Sequence, residues 1–431
     1  MNIEKLIIYS FINILLSIFF NLEFKKNIFI PIFLSFFTID YLSYSFYSGF
    51  GPGHFPSVFF LTISDFMILI AYLFIKNKKN TFSWEILIIL LYLIVNIYKT
   101  NQLFMYIIGL IRGIIIPVYL YKLIKYYKVP LESILRYIFI GILSGFFFSL
   151  LALLFIGLNP FVASFNPLFR PYLLRTLGAT NIIAGFLVFL IPVYLFNNQI
   201  LKGIILFVIL FFTMTRGGII IGFLEVIIFL FTSTKSYGKK IFFFMLITLA
   251  IYFLAEPLFF SRFTVSSHSG NVLSNISNQN NAQSRYYLWL LVLDFIKSQS
   301  INVQFWGHGF CTFRDSVYIP NLYNGHVSSP HNLFLSILFN YGYFGILVSI
   351  IWIVNISKRI LKKKKYSLLI ALVSFILYGT TVGTVLLPEY RQIANYYILV
   401  ILLTYLFLNN RNNNLLEKIN TEKENFIVIH R

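Results

Sequence analysis

Apolar runs of about twenty residues follow one another along almost the whole chain, separated by gaps mostly too short to fold on their own. A helix needs about 20 apolar residues to cross the hydrocarbon core of a bilayer. The runs fall at 5–22, 28–47, 57–75, 82–98, 102–124, 131–157, 179–196, 199–214, 216–232, 241–260, 333–356, 367–387 and 392–408. They predict an all-α polytopic membrane protein of about 12–13 transmembrane helices. Composition agrees: 58% of the 431 residues are hydrophobic and 11% charged, against about 45–50% and about 25% in soluble domains. Such a chain cannot clothe itself in polar surface, and its solvent must be lipid. The pair 199–214 and 216–232 meets at Thr213-Met-Thr-Arg-Gly-Gly218, either a tight external turn or a re-entrant tip.

The formal charge of +20 does not indicate nucleic acid, because most lysines lie in the short gaps between runs. That is the layout of loops held in the cytoplasm. Alternate gaps carry Lys25/Lys26, Lys76/Lys78/Lys79, Lys122/Lys125/Lys128, Lys202, Lys235/Lys239/Lys240 and Lys358 to Lys365. This orientation puts the N-terminus outside and the tail 409–431 inside. The cytoplasmic gaps are too short for a domain. Two external gaps are long: 158–178, and a large periplasmic loop at 261–332, whose stretch from His268 to Ser284 is polar and expected to be mobile. The chain therefore divides into membrane helices over 1–260, the loop 261–332, membrane helices over 333–408, and the tail. The single cysteine, Cys311, excludes an internal disulfide. No P-loop is present. No Asp-x-Asp pair is present to hold a metal-bound nucleotide sugar, so no cofactor and no metal is expected.

The two cations are sorted by side. Cytoplasmic gaps use lysine almost exclusively, Arg359 apart, whereas Arg112 (mid-span), Arg170, Arg175, Arg216, Arg262, Arg285, Arg314 and Arg391 fall in the external half. Orientation needs only a charge; arginine adds a planar fork that grips phosphate or carboxylate with two parallel hydrogen bonds. Arginines placed against the orientation rule suit an anionic ligand, although pairing with Asp315, Glu256 or Glu389 is the plainer alternative. Arg112 stands out because a cation within a span usually faces a cavity or partner. Arg216 opens a span beside Gly217 and Gly218, which let a ligand approach the backbone where a helix N-terminus favours negative charge.

The sharpest local feature is Ser329-Pro330-His331-Asn332 before an apolar run that carries Gly342-Tyr-Phe-Gly345. Ser329 suits a helix cap and Pro330 a first helical position. His331 then falls in the first turn of a membrane helix at the external boundary, where the positive helix end favours the uncharged imidazole. A neutral imidazole near an anionic substrate can serve as a general base; a histidine that merely bonds a loop carbonyl fits the position equally well.

These elements, in this order, resemble the O-antigen ligase/polymerase superfamily. The resemblance runs from Thr215-Arg216-Gly217-Gly218 through Arg285 and Gly307-His308-Gly309 to His331-Asn332 and Gly342 to Gly345, with Gly178-Ala-Thr-Asn181 upstream. Motifs cover about 160–350. The resemblance implies a GT-C-like, metal-independent, inverting glycosyltransferase of the inner membrane, acting at the periplasmic face on a glycan carried by undecaprenyl diphosphate. It implies that Arg216 and Arg285 hold the diphosphate and that His331 takes the proton of an acceptor hydroxyl, with Asn332 positioning it. Arg112, Arg170, Arg175 and His308 are looser candidates, and Gly217, Gly307 and Gly309 shape the loops. The acceptor is a second glycan for a polymerase, the favoured reading, or lipid A-core for a ligase. A chain-length regulator or a flippase are the implied protein partners. From another class, a lipid-linked oligosaccharide flippase also has about a dozen spans. It calls for charges through both membrane halves and related repeats.

Overall fold

The computed structural model describes residues 29, 32–33, 37, 68–69, 71–72, 115–155, 180–213, 215–233, 282–309, 330, 332–382 and 393–409. Among the described residues all regular structure is helical. The helices are α1 (Ile116–Tyr126), α2 (Leu131–Phe155), α3 (Thr180–Phe196), α4 (Ile200–Phe212), α5 (Arg216–Ser233), α6 (Ala282–Ser298), α7 (Ile301–Trp306), α8 (Leu333–Lys362), α9 (Tyr366–Val382) and α10 (Ile393–Asn409). The apolar runs thus become helices with ends within a few residues of those expected at α2, α3, α4, α5, α9 and α10. The expected spans 5–22, 82–98 and 241–260, and most of 28–47, 57–75 and 102–124, lie outside the described residues. So do the loop 158–178, the stretch 268–281 and the tail from 410 onward.

Two described helices are long and apolar enough to cross a membrane: Leu131–Leu151 and Leu333–Lys362, each with a mean hydropathy of 2.0. Helix α3 is the spine. Its residues from Ile183 to Ile191 are buried without exception, and it packs against α4, α5, α9 and α10. A helix apolar all round must be enclosed all round. The buried Tyr194 hydroxyl of α3 finds a partner, donating to the Leu135 carbonyl of α2 at 2.5 Å. The outer surface is apolar as well, and Phe147, Leu154, Leu201, Phe231, Leu347 and Leu377 are each more than half exposed. A surface of this kind belongs in lipid.

The two ends of the bundle differ. At one end lie Lys122, Lys125, Lys202 and the basic turn between α8 and α9. There Lys363 and Lys365 donate their ammonium protons to the Leu408 and Phe407 carbonyls. These are among the last carbonyls of α10, which have no partner within the helix and sit at its negative pole. Asn409 donates to the Tyr121 hydroxyl at 2.9 Å, tying α10 to α1 at the same end.

Helix α8 is broken. Its 30 residues span about 45 Å at 1.5 Å per residue, well beyond the roughly 30 Å hydrocarbon core. Gly342, with φ 66° and ψ −166°, interrupts it. A break frees carbonyls that must be satisfied elsewhere, and the loop after α7 supplies the donors. His308 N–H bonds the Phe339 carbonyl at 2.8 Å, and Gly309 N–H bonds the Asn340 carbonyl at 3.0 Å. The backbones touch: a Cβ on Gly342 would lie 2.3 Å from the Phe305 carbonyl oxygen, and one on Gly307 2.4 Å from that of Asn340. The half of α8 before the break packs with α6 around Leu288, Val292, Ile296 and Phe339, a small core separate from that of the bundle.

Candidate active site

The His-Asn element sits where this small unit meets the bundle. Helix α8 begins at Leu333 with Asn332 as its N-cap, which corrects the assignment of Ser329 as the cap and Pro330 as the first helical residue. Asn332 wins because its Oδ1 accepts two orphan amides, from Phe334 at 2.9 Å and Leu335 at 3.1 Å. Its Nδ2 donates to the Thr380 carbonyl near the end of α9 at 3.0 Å. A Cβ on Gly379 would lie 3.1 Å from Leu333 Cδ2, so the two helix ends abut. From the other side, the indole N–H of Trp289 donates to the Pro330 carbonyl at 2.9 Å. Both neighbours of His331 are therefore held, one by α6 and one by α9. His331 itself lies outside the described residues.

Arg216 opens α5, as expected, and the link before it is a tight turn between two helices. Thr213 and Thr215, both buried, share a hydroxyl–hydroxyl hydrogen bond of 2.8 Å, and the Thr215 carbonyl accepts the Ile219 N–H at 2.9 Å. The Arg216 side chain is half-buried, with Nη2 shut off from solvent. Gly218 permits close packing: a Cβ there would lie 3.3 Å from that of Ala184. At that end of α3 the Asn181 carbonyl accepts the Tyr378 hydroxyl of α9 at 2.7 Å. A continuous series of contacts thus runs from Arg216 and Gly217 through α3 and α9 to Asn332, then through Pro330 to α6. All of it lies at the end of the bundle opposite the lysines.

Position 285 lies on α6 one turn before Trp289 and on the same face. Gly307, His308 and Gly309 form the loop that docks into the break of α8. The His308 ring stacks on Phe339 at 4.5 Å between centroids and lies 5.2 Å from Phe295. That contact gives the G-x-G element a mechanical meaning: it ties the segment after α7 to the helix that Asn332 caps. Arg112, Arg170 and Arg175 lie outside the described residues. Sequence reasoning passed over Trp289, Thr380 and Tyr378, whose signals are hydrogen bonds to distant backbone. It also passed over Glu225, 1% exposed midway along α5; as a lone acid within an apolar run, that position was the one signal available.

The stretch that holds most of these groups has a known counterpart. Residues 201–350 match the family model described as O-Antigen ligase. Over this stretch the match supports a likeness to the O-antigen ligase/polymerase superfamily. The ligase match takes in Arg216, Gly217, position 285, the Gly307–Gly309 loop, His331, Asn332 and the break at Gly342. Arg112, Arg170 and Arg175 precede it. The match supports a ligase- or polymerase-like activity on glycans, and together with the apolar helices it fits a membrane protein. No curated protein and no solved structure matches the chain.

Proposed function

We propose that the chain is a surface-polysaccharide polymerase. In this reaction it transfers a glycan from undecaprenyl diphosphate to the hydroxyl of an acceptor glycan, at the periplasmic face of the inner membrane. The observation that carries this reading is the Asn332–Thr380 bond, which ties the His-Asn corner to the end of the bundle where Arg216 lies. Guanidinium groups from Arg216 and Arg285 grip the diphosphate, with the N-terminus of α5 adding its positive pole. His331 takes the proton from the acceptor hydroxyl. The acceptor oxygen forms its bond to the anomeric carbon from the face opposite the leaving group, which inverts that centre. The bond from the anomeric carbon to the phosphate oxygen breaks, and its electron pair departs with the lipid diphosphate. The arginine forks act on charge that develops only as the bond breaks, where stabilisation accelerates the step. Because the lipid diphosphate is already a good leaving group, the transfer needs neither metal nor nucleotide.

A ligase reading is favoured by the description of the matching family. It keeps the same donor and base and replaces the acceptor with lipid A-core. A deletion strain separates the two. Loss of a polymerase leaves single repeat units on lipid A-core, whereas loss of a ligase leaves long chains on the lipid carrier. Re-expression of His331→Ala at wild-type membrane levels restores no transfer. Normal surface polysaccharide from that variant would remove His331 from the mechanism and the proposal with it.

A further inference from the structure

Trp289 has a feature that apolar packing does not explain. It stands on α6, on the face that carries 285, 292 and 296, and Val292 and Ile296 of that face are buried in the small core with Phe339. Yet its indole N–H leaves the apolar interface to bond the Pro330 carbonyl at 2.9 Å. An indole nitrogen can only donate, and the backbone carbonyl of Pro330 is an acceptor that the helix does not use. Pro330 immediately precedes His331, and Asn332 immediately follows it. Asn332 is held by α9 through Thr380, so the bond from Trp289 is the second of two anchors on a three-residue corner. It is also the described contact that joins the corner to α6. Position 285 lies about 6 Å further along the same helix face.

We propose that Trp289 is a positioning residue for glycosyl transfer. By holding the Pro330 carbonyl it anchors to α6, the helix that carries position 285, the backbone immediately before His331. This rests on the reading of His331 as the base. It predicts that losing the donor alone slows the chemical step without weakening donor binding, because the anchor orients a group and does not touch the lipid diphosphate.

The test uses the full chain in membranes, with the lipid-linked glycan isolated from the deletion strain as donor. Trp289→Phe removes the N–H and part of the ring. Site-specific replacement of Trp289 by benzothienylalanine, with sulfur in place of N–H, keeps the ring and removes only the donor. Loss of one net hydrogen bond implies that kcat falls about three- to tenfold in both variants. The KM for the lipid-linked glycan stays at its wild-type value, and the thermal midpoint stays well above the assay temperature. A wild-type kcat in the benzothienylalanine variant overturns the assignment, as does a fall in kcat that tracks a fall in thermal midpoint. His331→Ala run beside them separates the two levels. If it is inactive while both Trp289 variants are normal, only the positioning role fails; if it is active, the catalytic reading fails and the positioning role with it.

Discussion

Replacing Gly342 by alanine probes how the broken helix is held. The residue has φ 66° and ψ −166°, a region that only glycine occupies freely, and a side chain there costs about 1–3 kcal/mol. The new Cβ would also lie 2.3 Å from the Phe305 oxygen and 2.6 Å from that of Gln304. Both neighbours are backbone, so the segment 304–309 must retreat. Retreat breaks the His308–Phe339 and Gly309–Asn340 hydrogen bonds, which together contribute about 1–3 kcal/mol. The two effects sum to about 2–6 kcal/mol, a shift of about thirtyfold or more toward the undocked loop. Hydrogen exchange followed by mass spectrometry on protein in nanodiscs reads this directly. Peptides covering 304–309 are expected to exchange at least about thirtyfold faster in Gly342→Ala. Peptides from α3 keep wild-type protection, because the bundle has its own core. Unchanged exchange across 304–309 would refute the docking, and equal loosening of α3 would refute the separation of the two cores.

Three further outcomes follow from the geometry. Arg216→Lys keeps the charge but loses the fork, and is expected to lower kcat/KM for the lipid-linked donor about tenfold or more at normal membrane abundance; near-wild-type turnover would argue against diphosphate gripping. Asn332→Ala removes an N-cap worth about 0.5–2 kcal/mol together with the Thr380 bond, so polysaccharide synthesis should fall sharply while Asn332→Asp, which keeps the cap, loses less; equal loss in both would place the effect on Nδ2 alone. Lys363→Gln with Lys365→Gln uncaps the last turn of α10, a loss of about 0.3–1 kcal/mol per charge, visible as a lower thermal midpoint and not as a changed KM.

Much of the membrane architecture could be read from the sequence, because the requirement that makes a span is local. Hydropathy alone set the ends of α2, α3 and α10 to within a few residues. The break in α8 could not be read in the same way. Gly342 lies inside an uninterrupted apolar run, and what makes the break tolerable is a pair of amides on a loop more than thirty residues earlier. The glycine motifs at 307–309 and 342–345 were visible as separate signals, and only the fold joins them. At the site, Arg216 could be placed at a helix start because its run begins there. The cap of α8 was placed too early, at Ser329; Asn332 takes it because its Oδ1 accepts the Phe334 and Leu335 amides, while Thr380 of the following helix holds its Nδ2. Trp289 gave no sequence signal, because a tryptophan near an interface has an ordinary explanation.

Asn332 also sets an order of assembly. Its carbonyl oxygen can cap α8 as soon as Leu335 has emerged from the ribosome, but its amide must wait for Thr380, 48 residues later in synthesis. The corner therefore stays half-finished until α9 has been delivered into the bilayer. A nascent chain stalled between the two would carry every group of the corner except the carbonyl that secures it.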